Sequence, residues 1–165
     1  MDEMVRKFLD YIRYERNYSP HTLSGYRRDL DEFLASLGSR SADVSPGDID
    51  HITIRDFLAI LHVKGNSRSS VARKLAAVRS FFRFLHREGA IERNPARLVR
   101  TPKTGRRTPR FLSEGEVETI LALPDTSRDL GLRDAAMLEL LYATGVRIAE
   151  LVGLNVEDCA LEHRL

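Results

Sequence analysis

The stretch SRSSVARKLAAVRSFFRFLHR, residues 67–87, decides the fold of this chain. Large apolar residues recur in it every three or four positions, which is the spacing of one face of an α-helix. We therefore expect a helix over this stretch, ended by Gly89 and packed against other helices through its apolar stripe. That stripe consists of Val71, Leu75, Val78, Phe82 and Leu85.

The side of this helix opposite the stripe carries arginines and small residues. No acid precedes Glu88 on that side, whereas a merely solvated helix usually mixes glutamate with its basic residues as i,i+4 pairs. Small residues between arginines let a helix approach a nucleic-acid backbone while the guanidinium groups reach phosphates. We therefore interpret this side as a nucleic-acid grip formed by Arg68, Ser69, Arg73, Arg79, Arg83 and Arg87.

The charge of the chain is segregated along the sequence. Residues 1–63 hold 8 Lys/Arg and 11 Asp/Glu (net −3), residues 64–110 hold 14 and 2 (net +12), and residues 111–165 hold 4 and 11 (net −7), which together give the overall +2. A basic block between two acidic ones is typical of a polyanion-binding region. From charge alone, a solvated basic helix is the alternative.

Three further helical patterns precede this helix, over about 2–17, 20–37 and 53–63. Because the connections are short, we expect a compact four-helix bundle. Polar residues on the second helix, opposite its apolar stripe, are candidates for a second arm of the grip, with an ordinary solvated surface as the alternative. They are His21, Thr22, Ser24 and Arg28.

Beyond the bundle, residues 94–110 (NPARLVRTPKTGRRTPR) contain three prolines, one glycine and no acid, which predicts an extended basic linker. Lys103, Arg106 and Arg107 are its candidate phosphate contacts. Helical patterns resume over 113–123 and 127–143, and a short helix follows Gly145. We expect residues 161–165 to open a strand. The start of the short helix is a candidate anion site.

Several classes of protein are excluded by composition. One cysteine rules out an internal disulfide, no apolar run approaches the roughly 20 residues of a membrane helix, and the five histidines fit no metal-ligand spacing. The charged N-terminus does not resemble a signal peptide. We therefore expect a cytoplasmic protein without a bound metal and without membrane insertion.

Three segments together carry a family resemblance: SPHTLSGYRRDLDEFLASL, SSVARKLAAVRSFFRFLHREGAIERNPARLVRTPK and LRDAAMLELLYATGVRIAELVGLNVEDC. In this order they resemble the tyrosine site-specific recombinases of the phage-integrase family, of the Xer type and most like its XerC branch. The resemblance covers about residues 2–165. Its most specific motif is ATGVRIAEL, placed after a helical domain and a basic linker.

The resemblance implies a mainly α chain. It has a four-helix core-binding (SAM-like) domain at 1–93, a linker at 94–110, and the helical beginning of a mixed α/β catalytic domain at 111–165. Family members clamp a double-stranded DNA recombination site as homo- or hetero-tetramers. They cut and rejoin DNA through a 3′-phosphotyrosine, in chromosome dimer resolution or DNA integration, without a metal or nucleotide cofactor.

On this resemblance Arg147 matches the first catalytic arginine, which clamps the scissile phosphate with paired donors. Glu150, three residues on, matches the acid that orients this arginine. The residues alone leave open an ordinary i,i+3 ion pair on a helix surface.

The family's remaining catalytic residues, including its nucleophilic tyrosine, lie beyond the matched segment. We therefore expect this chain to be the N-terminal portion of a recombinase and to bind DNA without recombining it. A stand-alone DNA-binding module and a helical protein-interaction domain are the alternatives. We further expect residues 111–165 to be marginally stable, with exposed apolar surface at Leu140, Leu141, Leu151 and Leu154.

Overall fold

The chain is described by a computed structural model. Its described part folds into seven α-helices and contains no β-strand, which confirms the mainly α class predicted from the sequence. The predicted strand at 161–165 lies outside the described residues. Those residues are 1–38, 44–103, 105 and 111–158.

The chain divides into two compact units, Met1–Arg106 and Arg107–Leu165. The first unit contains four helices and the second contains three, counted over the described residues. The helices are α1 (Asp2–Tyr14), α2 (Pro20–Ser36), α3 (His51–Val63), α4 (Arg68–Arg87), α5 (Glu114–Leu121), α6 (Asp129–Thr144) and α7 (Ile148–Val152).

Side-chain caps set the starts of α2, α3 and α4. The Ser19, Asp50 and Ser67 side chains each accept a hydrogen bond from a backbone N–H three residues further on, at 3.3, 2.8 and 3.2 Å. These bonds satisfy N–H groups that have no partner inside the helix. Because Asp50 is the cap, α3 begins at His51, slightly before the start predicted near residue 53.

Helix α4 is the central element of the first unit. It packs against α1, α2, α3 and the 3₁₀ turn Pro95–Leu98. All five residues of the predicted stripe are buried, as expected, and the side chains of Ala77, Phe81 and Phe84 are buried as well. The buried face is wider than one stripe because several elements surround the helix.

Phenylalanine rings from all four helices join this core. Phe8 of α1 meets Phe81 edge to face with centroids 5.6 Å apart, and Phe33 of α2 meets Phe57 of α3 at 5.2 Å and Phe82 at 6.1 Å. Edge-to-face contacts of this kind stabilise a core beyond the burial of apolar area. The first unit therefore has a closed hydrophobic core of its own.

The segment that the sequence predicts as the start of the linker belongs to this core. Ala96 is fully buried and Val99 is 3% exposed, and both pack in the same apolar cluster as α4. The Asn94 side chain accepts a hydrogen bond from the backbone N–H of Ala96 at 2.9 Å, so it caps the 3₁₀ turn. An extended segment can therefore begin only after these residues.

The second unit has no comparable core in its described residues. Helix α6 packs against α5 and α7, and Leu151 is the single buried apolar side chain among residues 111–155, 157 and 158. Of the predicted exposed leucines, Leu154 is exposed, whereas Leu140 and Leu141 are half-buried. The prediction was wrong for Leu151, because α7 turns this side chain inward. No helix in the described part of the chain is long and apolar enough to cross a membrane.

Candidate nucleic-acid interface

The N-terminal half of α4 does not present the purely basic face that its own sequence indicates. The Arg73 guanidinium donates a hydrogen bond to Asp29 of α2 and forms an ion pair with it. The Asp29 side chain is 3% exposed, whereas the Arg73 side chain is 50% exposed. The charge of Arg73 is therefore largely balanced, although half of its side chain still reaches solvent.

A second acid of α2 balances the neighbouring lysine. Lys74 forms an ion pair with Glu32, and Lys64 lies 3.6 Å from the same carboxylate. The hydrogen bond from Lys74, followed by the charges of Lys74 and Lys64, holds the pKa of Glu32 below its ordinary value. The acids lie 44 and 42 residues before their partners, so spacing within α4 could not indicate them.

Arg79 has a structural role in the first unit. Its guanidinium donates hydrogen bonds to the carbonyl oxygens of Ala96 (3.4 Å) and Val99 and to the Thr101 hydroxyl (2.6 Å). Neutral acceptors leave its positive charge in place while fixing its position. Arg79 thus ties the chain after the 3₁₀ turn to α4, a role that the sequence pattern did not indicate.

Arg83 and Arg87 differ in how strongly each is engaged. Arg83 is exposed and makes no ion pair within the described residues. Arg87 donates to one Glu88 oxygen through Nε and Nη2, at 3.1 and 2.9 Å, and its guanidinium lies 4.0 Å from the centroid of the Tyr11 ring. Arg83 is therefore the free arginine in the C-terminal half of the predicted grip.

The start of α4 and the first turns of α2 present their predicted residues to solvent. Arg68 and Ser69 are exposed on α4, and the Ser69 hydroxyl lies 2.9 Å from the Ser67 hydroxyl. The candidates on α2 are exposed as well, and the Thr22 hydroxyl lies 3.0 Å from that of Ser19. The exposed candidates on α2 are His21, Thr22, Ser24 and Arg28.

A groove of about 260 Å³ brings candidates from both helices together. Its lining from α2 is Thr22, Gly25, Tyr26 and Asp29, and its lining from α4 is Arg73, Ala76 and Ala77. The space beside Gly25 is open, because a Cβ added at this residue would meet no atom within 4 Å. Of the predicted contacts, the groove therefore brings together Thr22 of α2 and Arg73 of α4, and the other candidates of these helices are not in its lining.

The predicted linker contacts lie partly outside the described residues. Lys103 is exposed. Arg106 and Arg107 are not among the described residues. Sequence reasoning did not single out Arg93 and Arg97, which are exposed beside α4. Their signal was membership in the basic block, but Arg97 falls in the segment 94–110 that was predicted as an extended linker, and Arg93 lies just before it.

In the second unit, Arg147 and Glu150 interact directly. Glu150 accepts hydrogen bonds from the Arg147 backbone N–H at 2.8 Å and from its Nη1 at 2.9 Å. Gly145 makes this turn possible, because it ends α6 in the left-handed conformation at φ +65°. The Arg147 side chain is 83% exposed, so its remaining donors are available to an anion.

The helix after Arg147 contributes little to anion binding by itself. Helix α7 has five residues, and a helix this short has only a small macrodipole. An anion at this place would therefore depend on the Arg147 guanidinium. Within the described residues, no three His, Cys, Asp or Glu side chains are grouped so that they could hold a metal ion.

A four-helix unit with basic residues on α4, followed by a unit in which Glu150 supports Arg147, agrees with two family models. The phage integrase N-terminal SAM-like domain matches residues 5–89, and the phage integrase family matches residues 110–165. The chain belongs to the phage integrase family.

Similar proteins in this family are Xer tyrosine recombinases. The chain is 46% identical over 158 residues to tyrosine recombinase XerC of Pelotomaculum thermopropionicum, covering 93% of this chain and 52% of that relative. It is 38% identical over 161 residues to tyrosine recombinase XerD of Listeria monocytogenes, covering 98% and 54%. The crystal structure of XerA recombinase matches with a TM-score of 0.48 and 28% identity, covering 98% of this chain and 53% of that one. The chain spans about half the length of the relatives it matches.

Proposed function

We propose that this chain supplies the DNA-binding part of a site-specific tyrosine recombinase and one arginine of its catalytic centre. Residues 1–93 would form the core-binding domain together with the packed start of the segment 94–110, the rest of that segment would form the linker, and residues 111–165 would form the beginning of the catalytic domain. The observation that carries the proposal is the groove between α2 and α4, which Thr22 and the Asp29–Arg73 pair line among small residues, together with the exposed Arg28 and Arg68 on the same two helices.

The chemistry of this surface suits duplex DNA. Exposed arginines contact phosphates on either side of a groove, and hydroxyl groups such as that of Thr22 donate to phosphate oxygens. Arg28 and Arg68 make no ion pair within the described residues, so their full charge is available. Arg73, held by the buried Asp29 carboxylate, presents its remaining donors in a fixed orientation, which favours recognition of a base edge or phosphate.

In the second unit, the proposed role of Arg147 is to bind the non-bridging oxygens of the scissile phosphate. Its guanidinium would stabilise the charge that develops there during strand cleavage. Glu150 would act as a positioning residue, because it already accepts a hydrogen bond from Nη1 at 2.9 Å. The tyrosine nucleophile of the family has no counterpart among residues 1–165, so DNA binding without cleavage is the activity proposed for these residues.

The partners belong to the same proposal. A DNA recombination site and further recombinase subunits, of the same or a second kind, would assemble with the whole protein in the cytoplasm. Family membership supports DNA as the partner. The alternatives are a stand-alone DNA-binding module and a helical domain that binds an acidic protein.

A salt titration of DNA binding tests this proposal. The chain is mixed with labelled duplexes of about 30 base pairs, one of random sequence and one carrying a candidate Xer site, and affinity is measured against salt concentration. We expect a steep loss of affinity with salt, because each neutralised phosphate contributes a slope of about 0.9 on logarithmic axes. The Arg28→Ala/Arg68→Ala variant should lower that slope by roughly 2.

The matched control removes two exposed arginines from other helices. Arg6→Ala/Arg55→Ala makes the same change in net charge on α1 and α3 and should leave the slope nearly unchanged. Absence of DNA binding at low salt would contradict the proposal and favour an acidic protein partner. If both double variants lowered the salt slope equally, DNA would be attracted by the net charge of the chain and not by a defined surface, which would also contradict the proposal.

A further inference from the structure

A basic cavity lies at the other end of α4, apart from the groove between α2 and α4. It measures about 950 Å³ and is bounded by the C-terminal half of α4 and the segment 92–98. Four arginines line it, and Glu92 is the acid in its lining. The four are Arg79, Arg83, Arg93 and Arg97.

The walls of this cavity are held in place by the core. The fully buried Ala96 and the nearly buried Val99 and Ile91 anchor the segment that carries Arg93 and Arg97. The three acceptors of Arg79 belong to the same stretch of chain, so this arginine connects both walls. The arginines are therefore presented from a fixed framework, which lowers the entropy lost when a ligand binds.

The charge of the cavity is not balanced by the protein. Arg83, Arg93 and Arg97 are exposed, and none of them makes an ion pair in the described part of the chain. This contrasts with Arg73 and Lys74, which α2 neutralises. Guanidinium groups that converge on an open cavity without acid partners suit phosphate oxygens, which accept their paired donors.

An apolar side chain at the same cavity distinguishes a nucleic acid from a free anion. Leu98 is 71% exposed and lies in the lining beside Arg97. A small inorganic anion offers no apolar surface to cover a leucine, whereas deoxyribose does. The combination of unpaired arginines with an exposed leucine therefore favours a sugar–phosphate backbone.

We propose that this cavity binds the backbone of duplex DNA, with Arg83, Arg93 and Arg97 contacting phosphates and Leu98 contacting a sugar. The inference rests on the proposed function and adds to it a second contact region, beyond the groove between α2 and α4. On this proposal, part of the segment predicted as a linker is a structured part of the DNA-binding surface.

The test measures duplex DNA binding of the full chain with the Arg93→Ala/Arg97→Ala variant. We expect at least about tenfold weaker binding at roughly 0.1 M salt and a salt slope smaller by about 2. The variant should keep its circular dichroism spectrum, because neither side chain makes an ion pair within the described residues. Arg6→Ala/Arg55→Ala serves as the control of equal charge.

Removing an acid from the cavity gives a second test, because it should strengthen DNA binding where removing arginines weakens it. Glu92→Gln removes the acid from the cavity and should tighten DNA binding about twofold or more, whereas Asp56→Asn, an equal charge change on α3, should have a smaller effect. If the wild type binds DNA and Arg93→Ala/Arg97→Ala behaves like its control, this inference is overturned while the proposed function stands. If the wild type does not bind DNA at all, the proposed function itself fails.

Discussion

The two units of this chain use apolar residues in different ways. Twenty-one of the buried apolar side chains found in the described residues lie in the first unit, and one, Leu151, lies in the second. The second unit is not poor in such residues, since Phe111, Leu123, Leu130 and Val152 are all more than 60% exposed. An amphipathic helix forms a core only when enough other elements cover its apolar face.

The number of neighbours explains this difference. Helix α4 is surrounded by three helices and a 3₁₀ turn, whereas α6 contacts α5 and α7 among the described elements of its unit. Burial of apolar area is the main favourable term in folding, at about 25 cal/mol per Å². We therefore expect the first unit to hold most of the stability of these residues.

The largest effect is expected from Phe82→Ala in the first unit. The ring is fully buried and contacts Phe33 and Phe81, so its loss leaves a cavity and should cost about 3–5 kcal/mol of unfolding free energy. Urea unfolding followed by circular dichroism and hydrogen exchange measures this loss. Leu151→Ala is the comparison in the second unit and should leave the protection of α4 unchanged. Loss of α4 protection in that variant would show that the two units unfold together.

The next effect concerns the ion pair between α2 and α4. Arg73→Ala leaves the buried Asp29 carboxylate without its partner and should cost about 3 kcal/mol. Asp29→Ala should cost less, because the Arg73 side chain is half exposed and can be hydrated. The double variant should recover part of the loss in a double-mutant cycle by urea unfolding. Strictly additive losses would mean that the pair does not interact. This prediction also makes Arg73→Ala a poor probe of DNA binding.

Two glycine substitutions should change the free energy of unfolding in opposite directions, one in each unit. Gly145→Ala places a Cβ at φ +65° and should destabilise the turn before Arg147 by about 1–2 kcal/mol. Gly25→Ala lies inside α2, where an added Cβ meets no atom within 4 Å, and should stabilise the first unit by about 0.5–1 kcal/mol. Hydrogen exchange of each unit separates the effects. Destabilisation by Gly25→Ala would show that this position requires glycine.

The smallest effect is a pH dependence at Glu32. Its pKa is lowered in the folded state, so its ionised form adds stability above its ordinary pKa, and this stability is lost as the pH falls through the lower folded pKa. Glu32→Gln should therefore cost about 1 kcal/mol or less at pH 7 and nothing in strong acid. Unfolding midpoints between neutral and acid pH measure this. Glu116→Gln is the control in the second unit and should leave the first unit unchanged. If Glu32→Gln still lowered the free energy of unfolding in strong acid, the ionised carboxylate would not be the source of the stability.

The helices and core of the first unit could be predicted from local sequence. The apolar stripe of α4 is buried as expected, because helical periodicity and side-chain size are properties of neighbouring residues. The extra burial of Phe81 and Phe84 could not be predicted, because it depends on how many elements surround α4. The start of the linker was predicted too early in the sequence for the same reason, since Ala96 and Val99 pack against residues that are distant in sequence.

The candidate site could be predicted only in part. Arg147 and Glu150 are three residues apart, so a short helix is enough to bring them together. The basic face of α4 looked uniform in sequence, but Asp29 and Glu32 balance Arg73 and Lys74 in its first half, and Arg93 and Arg97 extend its second half.

The sequence by itself determined the helices, the amphipathic stripe of α4, the basic block and the family of this chain. These features depend on residues that are close along the chain or on a recognisable order of motifs. Only the tertiary structure decided which arginines remain free, because charge pairing depends on contacts between side chains 42 or 44 residues apart. Packing of α2 against α4 therefore neutralises Arg73 and Lys74, and packing of the 3₁₀ turn against α4 places Arg93 and Arg97 in one cavity with the unpaired Arg83.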